Sequence, residues 1–297
     1  MQKKTFLLKQ DLRLFMRYEK IIQAAIILLI FSRSASASFD TKKGARPLGM
    51  GGTFVAVGNA GDAMYYNPAG LWLLGNPYMQ AFYSAPFNIK DLGTTAFNIT
   101  YPGAIGNGTL NFESYGFDLY RETTFGFAFS RSFKEKLIYG IALNYDHLNI
   151  KDAGSAGTVG MDIGLMFRPH DMVTIGFAAR NINRPSIKED KLPQTFSTGV
   201  SIRMIDPLIL NVDVYKDIRF PTDVRFGAEY QFFDRLFLRA GMARQPSLFS
   251  AGLGFDFGRG VIDYAIYSHS DLGVTHAISA SFHIQRLPSR VIKTGRR

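Results

Sequence analysis

The stretch between Gly44 and Trp72, GARPLGMGGTFVAVGNAGDAMYYNPAGLW, holds enough glycines to suggest a loop that cradles a phosphate. A dinucleotide-binding loop needs G-x-G-x-x-G between a strand and a helix, and a P-loop needs Gly-Lys-Ser/Thr. Gly49 and Gly51 open the first pattern, but Phe54 stands at the third glycine position and no apolar strand precedes it. The stretch therefore does not predict a nucleotide site.

The five histidines offer neither a metal site nor a catalytic set. None has the H-x-x-x-H spacing that zinc sites on helices use. The adjacent residues His269, Ser270 and Asp271 cannot assemble as a triad, because neighbouring residues of a strand point to opposite faces. Cysteine is absent, which excludes disulfides and thiolate ligands. We expect no catalytic residue, no metal and no cofactor, and the chain is not expected to be an enzyme.

Residues 1–37 have the pattern of a secretory signal peptide. A basic region precedes the short apolar run Ile21–Phe31, and Ala35-Ser36-Ala37 fits the small-x-small cleavage rule. The sequence has no run of eighteen apolar residues, so no spanning helix is expected. The pattern predicts export with removal of the signal.

The formal net charge of +10 is located at the two ends of the chain. Residues 1–37 carry seven basic and two acidic side chains, and the tail from Arg286 carries five basic side chains and no acid. The body between them has no net charge. A nucleic-acid partner, which a high isoelectric point often indicates, is therefore not expected.

Beyond Asn76 the sequence alternates with the two-residue period of a strand. For example, the large side chains of Leu137, Tyr139 and Ile141 alternate with Ile138 and Gly140. We count about fourteen such segments, near 77–87, 92–102, 108–114, 121–133, 137–151, 157–168, 172–183, 194–205, 208–218, 223–233, 235–243, 248–257, 261–269 and 274–285. Most have about ten residues, the length of a tilted strand that crosses a bilayer.

One face of these strands is apolar and the other is small or polar. A soluble sandwich would need large side chains on its inner face, whereas a membrane barrel is apolar outside and polar inside. The sequence therefore predicts an all-β fold, a closed antiparallel transmembrane β-barrel of about fourteen strands. Charged side chains of both signs are expected in its lumen, as packing of a filled lumen or as a polar translocation path: Asp162, Arg180, Arg203, Asp213, Arg225, Glu229, Arg239 and Asp256.

Residues 38–75 precede the first strand and lack its alternation. In a barrel of this size, such a segment can fold back into the lumen as a plug, and its glycines permit close approach to the wall. Asn67-Pro68 is expected to fix a turn. The predicted organisation is thus a signal peptide (1–37), a plug (38–75), a barrel (76–286) and a basic tail (287–297).

The glycine-rich stretch resembles the N-terminal signature of FadL-type outer-membrane proteins. The motif residues are GARPLGMGG, FVAV and DAMYYNPAGL, and the resemblance is closest to the PorV/PorQ branch associated with type IX secretion. It implies a fourteen-stranded barrel in the bacterial outer membrane with an N-terminal plug. The matching plug motif comprises Gly49, Gly51, Gly52, Asn67, Pro68, Ala69 and Gly70.

The resemblance implies two possible functions. In both, the chain is embedded in the outer membrane and outer-membrane lipid is a partner. The first is a scaffold or shuttle that binds secreted proteins or secretion-system components through its external loops. The alternative is a FadL-like transporter of small hydrophobic compounds, with a plug as gate and a lateral exit. A transporter needs an apolar pocket near the plug, whereas a scaffold needs exposed loop surface. The charged loop Arg184–Pro193 favours protein contact, and the short chain leaves little room for long ligand-gathering loops.

Overall fold

The computed structural model describes residues 43–134, 136–244, 248–269 and 272–284. Fourteen strands form one closed barrel, in which antiparallel neighbours follow chain order. The first strand (Tyr78–Ala85) pairs with the last (Gly273–His283) and closes the ring. This confirms the predicted all-β, closed antiparallel fold and its strand number. The predicted signal peptide, residues 38–42 of the predicted plug and the basic tail 287–297 lie outside the described residues.

The strands contain between 8 and 17 residues each in the barrel wall. Their bounds are β1 Tyr78–Ala85, β2 Thr94–Pro102, β3 Asn107–Phe117, β4 Tyr120–Phe133, β5 Leu137–Ile150, β6 Gly154–His170, β7 Val173–Arg180, β10 Thr195–Ile205, β11 Leu208–Asp217, β12 Asp223–Phe232, β13 Leu236–Ala243, β14 Leu248–Asp256, β15 Gly260–His269 and β16 Gly273–His283. Two further strands, β8 Ser186–Ile187 and β9 Asp190–Lys191, form a small hairpin outside the barrel sheet.

Alternation along each strand separates an apolar outer face from a polar inner face. In β5, Tyr139 and Ile141 point outward and are exposed, whereas Ile138, Gly140 and Ala142 point inward and are buried. The outer face can be solvated by hydrocarbon, and closure pairs the backbone groups that a bilayer would leave without partners. Among the residues that the structure describes, no helix is long and apolar enough to cross a membrane.

The barrel has two distinct ends. At the turn end, short turns join neighbouring strands, for example at 206–207 and 257–259. At the loop end, the connection 86–93 carries two short 3-10 helices, Pro86–Asn88 and Lys90–Leu92, and the connection 181–194 contains the β8–β9 hairpin. This hairpin was predicted only as a loop, because two residues a strand are too few to show a period.

Residues 43–76, which we call the N-terminal segment, lie inside the barrel. The segment contains α1 (Ala45–Gly49), α2 (Ala63–Tyr66) and a 3-10 helix at Pro68–Leu73. The first helix packs against β13–β16 and the 3-10 helix against β3–β6. The segment therefore contacts two separate parts of the inner surface of the barrel. Its apolar side chains are buried and form most of the hydrophobic core, with Met50, Phe54, Met64 and Leu71 each 3% exposed or less.

Candidate functional site

Glycines on the inner face of the wall bring the N-terminal segment directly against strand backbones. A Cβ atom built on Gly241 would lie 2.1 Å from the backbone nitrogen of Gly51, and one on Gly140 would lie 2.5 Å from that of Ala69. We call the inward-facing glycines with such contacts the wall glycines: Gly126, Gly140, Gly164, Gly176, Gly199, Gly227, Gly241 and Gly252. Any larger side chain at these positions would occupy space that the segment fills.

Several wall glycines face one another across neighbouring strands. The register pairs Gly140 with Gly164, Gly176 with Gly199 and Gly227 with Gly241. Each pair removes two side chains from the same patch of the inner surface, so the segment meets backbone on both strands. The wall is thinnest where the segment packs.

The glycines of the predicted plug motif make the other side of this contact. A Cβ atom on Gly49 would lie 3.0 Å from Cα of Gly252. Gly51 has φ +69°, and a Cβ atom there would lie 2.7 Å from the nitrogen of Met242, so glycine suits this position in both conformation and space. The backbone nitrogen of Gly51 donates to Ser250 Oγ at 2.8 Å.

A buried network of charges holds α1 against the wall. Arg46 donates through Nε and Nη2 to the two oxygens of Glu229, at 2.8 and 2.7 Å. Arg239 donates to Glu229 Oε2 and to Asp263 Oδ1, both at 2.7 Å. Two arginines and two carboxylates from the segment and three strands therefore form one network with balanced charge.

Polar side chains also fix the middle of the segment. Asp213 Oδ2 accepts hydrogen bonds from the backbone nitrogens of Phe54 and Val55, at 2.8 and 3.0 Å. Asn67 Nδ2 donates to the carbonyl oxygens of Val55 (2.7 Å) and Leu165 (3.0 Å). Within the segment, Asn67 Oδ1 accepts from the backbone nitrogen of Ala69 at 3.1 Å and so caps the 3-10 helix that begins at Pro68.

The remaining residues of the plug motif lie near the same turn. Gly52 has φ +78°, and its backbone nitrogen donates to the Pro47 carbonyl at 2.8 Å. A Cβ atom on Gly70 would lie 2.7 Å from Cα of Gly58, so this glycine allows two parts of the segment to meet. Pro68 and Ala69 lie against wall glycines of β5 and β6.

Other charged residues predicted for the lumen lie outside the Arg46–Glu229–Arg239–Asp263 network and have different partners. Asp162 is buried and accepts from Asn144 Nδ2 at 2.8 Å, with Arg180 Nε at 3.6 Å. Arg225 donates to Asp223 at 2.7 Å.

Arg203 and Asp256 lie at the turn end. Arg203 is exposed, 4.0 Å from Asp206, and Asp256 accepts from the backbone nitrogen of Gly258 at 2.6 Å. Both residues occupy inward-facing positions of their strands, as the sequence predicts. However, alternation does not show how far along the barrel axis a residue lies.

Several polar residues that hold the segment were not among the predicted site residues. Lys43 forms a buried ion pair with Glu113, and Arg46 and Asp263 belong to the charge network. Asn107 Nδ2 donates to the carbonyl oxygens of Leu71 and Leu74, both at 2.8 Å, and so fixes the end of the segment. Glu113, Asn107 and Asp263 occupy inward-facing positions of their strands, and this alternation is the sequence feature that could have identified them.

Asp62 and Arg46 of the segment both have shifted pKa values. Burial raises the pKa of Asp62 to about 7, although a hydrogen bond from Gln80 Nε2 opposes this shift. Burial alone would lower the pKa of Arg46, but the Glu229 carboxylate offsets this effect and raises it. Arg46 is therefore charged at neutral pH, and among the described residues no cationic side chain forms an ion pair with Asp62 within 4.0 Å.

A large polar space lies in the lumen at the turn end of the barrel. This turn-end cavity has a volume of about 650 Å³, and Arg46, Asp62, Gln80, Glu229 and Arg239 are part of its lining. Two cavities on the other side of the segment have volumes of only about 40 and 10 Å³. In the described part of the chain, no group of three or more His, Cys, Asp or Glu side chains is arranged to hold a metal ion.

An apolar hollow of about 560 Å³ lies on the outer face of the wall, across β2–β6. Outward-facing aromatic and aliphatic side chains line it, among them Phe112, Phe125, Phe127 and Leu143. Gly126 is also part of the lining, and its Cβ position on the inner side would lie 2.5 Å from Cε of Met64. The hollow and the N-terminal segment are therefore separated by the backbone of one strand.

The fourteen antiparallel strands close into a barrel with a FadL-like fold. The chain is similar to the toluene transporter TbuX of Ralstonia pickettii, with a TM-score of 0.64 and 14% identity over 82% of this chain and 98% of that chain. A FadL homologue of Pseudomonas aeruginosa gives a TM-score of 0.62 and 12% identity, over 82% and 99% of the two chains. The toluene transporter TodX of P. putida gives 0.61 and 13%, over 82% and 99%.

No family model matches the sequence, and no curated protein matches it. At these identities, the likeness to the solved structures shows the fold. These structures support the FadL-type resemblance, but they do not show its PorV/PorQ branch.

Proposed function

We propose that the chain is an outer-membrane barrel that takes up small hydrophobic compounds, with the N-terminal segment as its plug and a lateral exit through the wall. This is the alternative function of the sequence analysis. The apolar hollow beside Gly126 carries the proposal, because it supplies the apolar pocket near the plug that a transporter requires. Its volume of about 560 Å³ lies within the range of small-molecule sites.

The kinds of protein that share this fold support the choice of substrate. They include the toluene transporters TbuX and TodX and a monoaromatic hydrocarbon channel, CymD. A small aromatic hydrocarbon matches the aromatic side chains around the hollow, which offer offset and edge-to-face ring contacts. The predicted signal peptide and the apolar outer face support a location in the outer membrane.

The route follows from where apolar space lies. The turn-end cavity is lined by charged groups, and the cavities above the segment hold no more than about 40 Å³. Among the described residues, neither of these spaces offers an apolar molecule a favourable straight path along the lumen. We place its exit at the hollow, where movement of Met64 away from Gly126 would open space on the lumen side of the same strand backbone.

Filling the hollow is the direct test of this route. We expect Leu143→Trp to lower the uptake of labelled toluene several-fold, because the indole would occupy the hollow without entering the lumen. Uptake is measured in cells whose outer membrane carries lipopolysaccharide and the barrel. The matched control is Val212→Trp, at an outward-facing position of β11 outside the hollow, which should leave uptake unchanged. If cells with the unsubstituted barrel took up no more toluene than cells without it, the transport function would be rejected. Equal uptake by the Leu143→Trp and Val212→Trp variants would reject the route.

The secretion scaffold is the second candidate, and one feature of the loop end favours it. The β8–β9 hairpin presents the exposed charged side chains Lys188, Glu189 and Asp190, while Ile187 anchors it with 3% exposure. Such an ordered, charged projection suits protein contact. Recovery of a specific secreted protein with the barrel, lost when these three residues are replaced by serine, together with no toluene uptake, would favour the scaffold.

A further inference from the structure

The turn-end cavity has more negative than positive charge in its lining. Arg203 lies 4.0 Å from Asp206, and the charge network that includes Arg46 is balanced. Among the described residues, no ion pair within 4.0 Å includes Asp62 or Asp234. The cavity can therefore attract a cationic group. Its charged lining consists of five carboxylates and three guanidinium groups: Asp62, Asp206, Glu229, Asp234 and Asp263, with Arg46, Arg203 and Arg239.

Large apolar side chains surround the mouth of the same cavity. Phe233 and Ile205 line it and are 75% and 61% exposed, and Phe237 and Val261 are also part of its lining. Exposed apolar groups at the edge of a cavity are typical of a surface that binds a partner. The partner that suits this cavity has both cationic and apolar side chains.

The backbone of Phe233 is strained. Its φ of +65° lies in the left-handed region, which is rare for a bulky side chain and costs free energy. This conformation leaves the phenyl ring exposed at the mouth of the cavity, with its inner neighbour Phe232 at 4.4 Å between ring centroids. An apolar group that covers the ring would offset part of that cost.

The C-terminal part of the chain leaves the barrel beside this mouth. His283, the last residue of β16, lines the cavity. The backbone nitrogen of Ile284 donates to the Pro77 carbonyl at 2.9 Å, which fixes the point of departure at the turn end. An extended residue spans about 3.3 Å, so the residues that follow can reach the cavity. Their attachment through a short linker gives them an effective concentration on the order of millimolar at the mouth.

The sequence of residues 287–297, LPSRVIKTGRR, complements the cavity. It contains four basic side chains and no acid, and Leu287, Val291 and Ile292 supply apolar groups between the basic ones. The sequence analysis assigned these residues only as a basic tail. Their composition matches both the excess of carboxylates and the apolar mouth.

We propose that the basic tail 287–297 binds in the turn-end cavity. Its basic side chains face the carboxylates of the lining, with Asp234 at the rim, and its apolar side chains cover Phe233 and Ile205. The tail then closes the polar end of the lumen, which the N-terminal segment leaves open as a cavity of about 650 Å³. This role is separate from the transport of hydrophobic compounds.

Photochemical cross-linking of the full chain tests the proposal. The chain has no native cysteine, so Ile292→Cys provides one thiol for a benzophenone label. The label is attached in high salt, where the tail is released, and the protein is then placed in phospholipid vesicles at low salt. After irradiation, mass spectrometry of the digested chain should find the label joined to residues 205–209 or 231–237 of the same molecule.

A charge reversal at the rim identifies the cause of this cross-link. Asp234→Lys should lower its yield about fivefold, because the new cation repels the tail. Asp118→Lys is the matched control, since Asp118 is also an exposed acid but lies at the loop end. It changes the net charge by the same amount and should leave the yield unchanged.

The other targets of the label contradict the proposal. Attachment to phospholipid alone would show that the tail lies on the membrane surface, and attachment to a second copy would show an intermolecular contact. Equal yields in the Asp234→Lys and Asp118→Lys chains would show that the carboxylates of the cavity do not hold the tail. Each of these results overturns the proposal, and none depends on whether the barrel transports hydrocarbons.

Discussion

Replacing Gly241 by alanine is expected to lower the free energy of unfolding by about 3 kcal/mol, the upper end of the usual cost of overpacking. The new Cβ atom would lie 2.1 Å from the nitrogen of Gly51 and 2.2 Å from the carbonyl carbon of Met50. Both are backbone atoms, and Gly51 is also held by its hydrogen bond to Ser250. Urea unfolding in detergent measures the change through the fluorescence of Trp72, the single tryptophan, which lies in the N-terminal segment.

Gly108→Ala is the matched control for this substitution. Gly108 also lies in a wall strand, but the atom nearest to its Cβ position is Cε2 of Phe127, at 3.9 Å. A methyl group there meets no backbone, so stability should change by less than about 0.5 kcal/mol. Equal stability of the Gly241 and Gly108 variants would show that the segment does not pack on the wall glycines.

Glu229→Gln should destabilise the folded barrel by about 3 kcal/mol or more. The substitution keeps the shape of the side chain but leaves the buried Arg239 and the partly buried Arg46 with Asp263 as their remaining carboxylate in the network. Removing one partner of a buried ion pair is costly because the other charge stays in a medium of low polarity. The same unfolding experiment gives the value, and limited proteolysis reports whether α1 leaves the wall.

The control is an ion pair at the rim of the barrel. Arg203 Nη1 lies 4.0 Å from Asp206 Oδ1, and both side chains are more than half exposed. Asp206→Asn should therefore cause no measurable change. If Glu229→Gln were equally silent, the charge network would not be what holds α1.

The barrel wall could be predicted from the sequence because the lipid and the lumen impose opposite demands on alternate residues. The first predicted segment, 77–87, corresponds to β1 Tyr78–Ala85, and the fifth, 137–151, to β5 Leu137–Ile150. Differences of one to three residues arise where a strand runs into its turn, since alternation does not mark the last ladder hydrogen bond.

The contacts within the lumen could not be predicted in the same way. Arg46 and Glu229 are 183 positions apart in the chain, and only barrel closure and strand register bring them together. Alternation correctly assigned both Arg203 and Glu229 to the inner face. It could not show that Arg203 lies at the rim of the barrel, whereas Glu229 lies deeper, in the charge network. The wall glycines leave a clearer pattern in the sequence, because they recur at inward-facing positions of the strands. The register then places several of them opposite one another on neighbouring strands.

The seating of the N-terminal segment against the wall is the central claim, and a disulfide tests it most directly. The chain has no native cysteine. Ala45 and Ser279 are both buried, and the backbone nitrogen of Ala45 donates to Ser279 Oγ at 2.9 Å. A chain with Ala45→Cys and Ser279→Cys should form this disulfide in isolated outer membranes under a mild oxidant, because α1 packs on β16.

The control pair joins α1 to a distant part of the wall. Ala178 lies on the inner face of β7 and is 1% exposed, and β7 is far around the barrel from the strands that α1 packs against. Mass spectrometry of the digested chain should find the cross-linked peptide for Ala45→Cys with Ser279→Cys, and none for Ala45→Cys with Ala178→Cys. Equal cross-linking of the two pairs, or none in either, would contradict the seating of the segment against the wall.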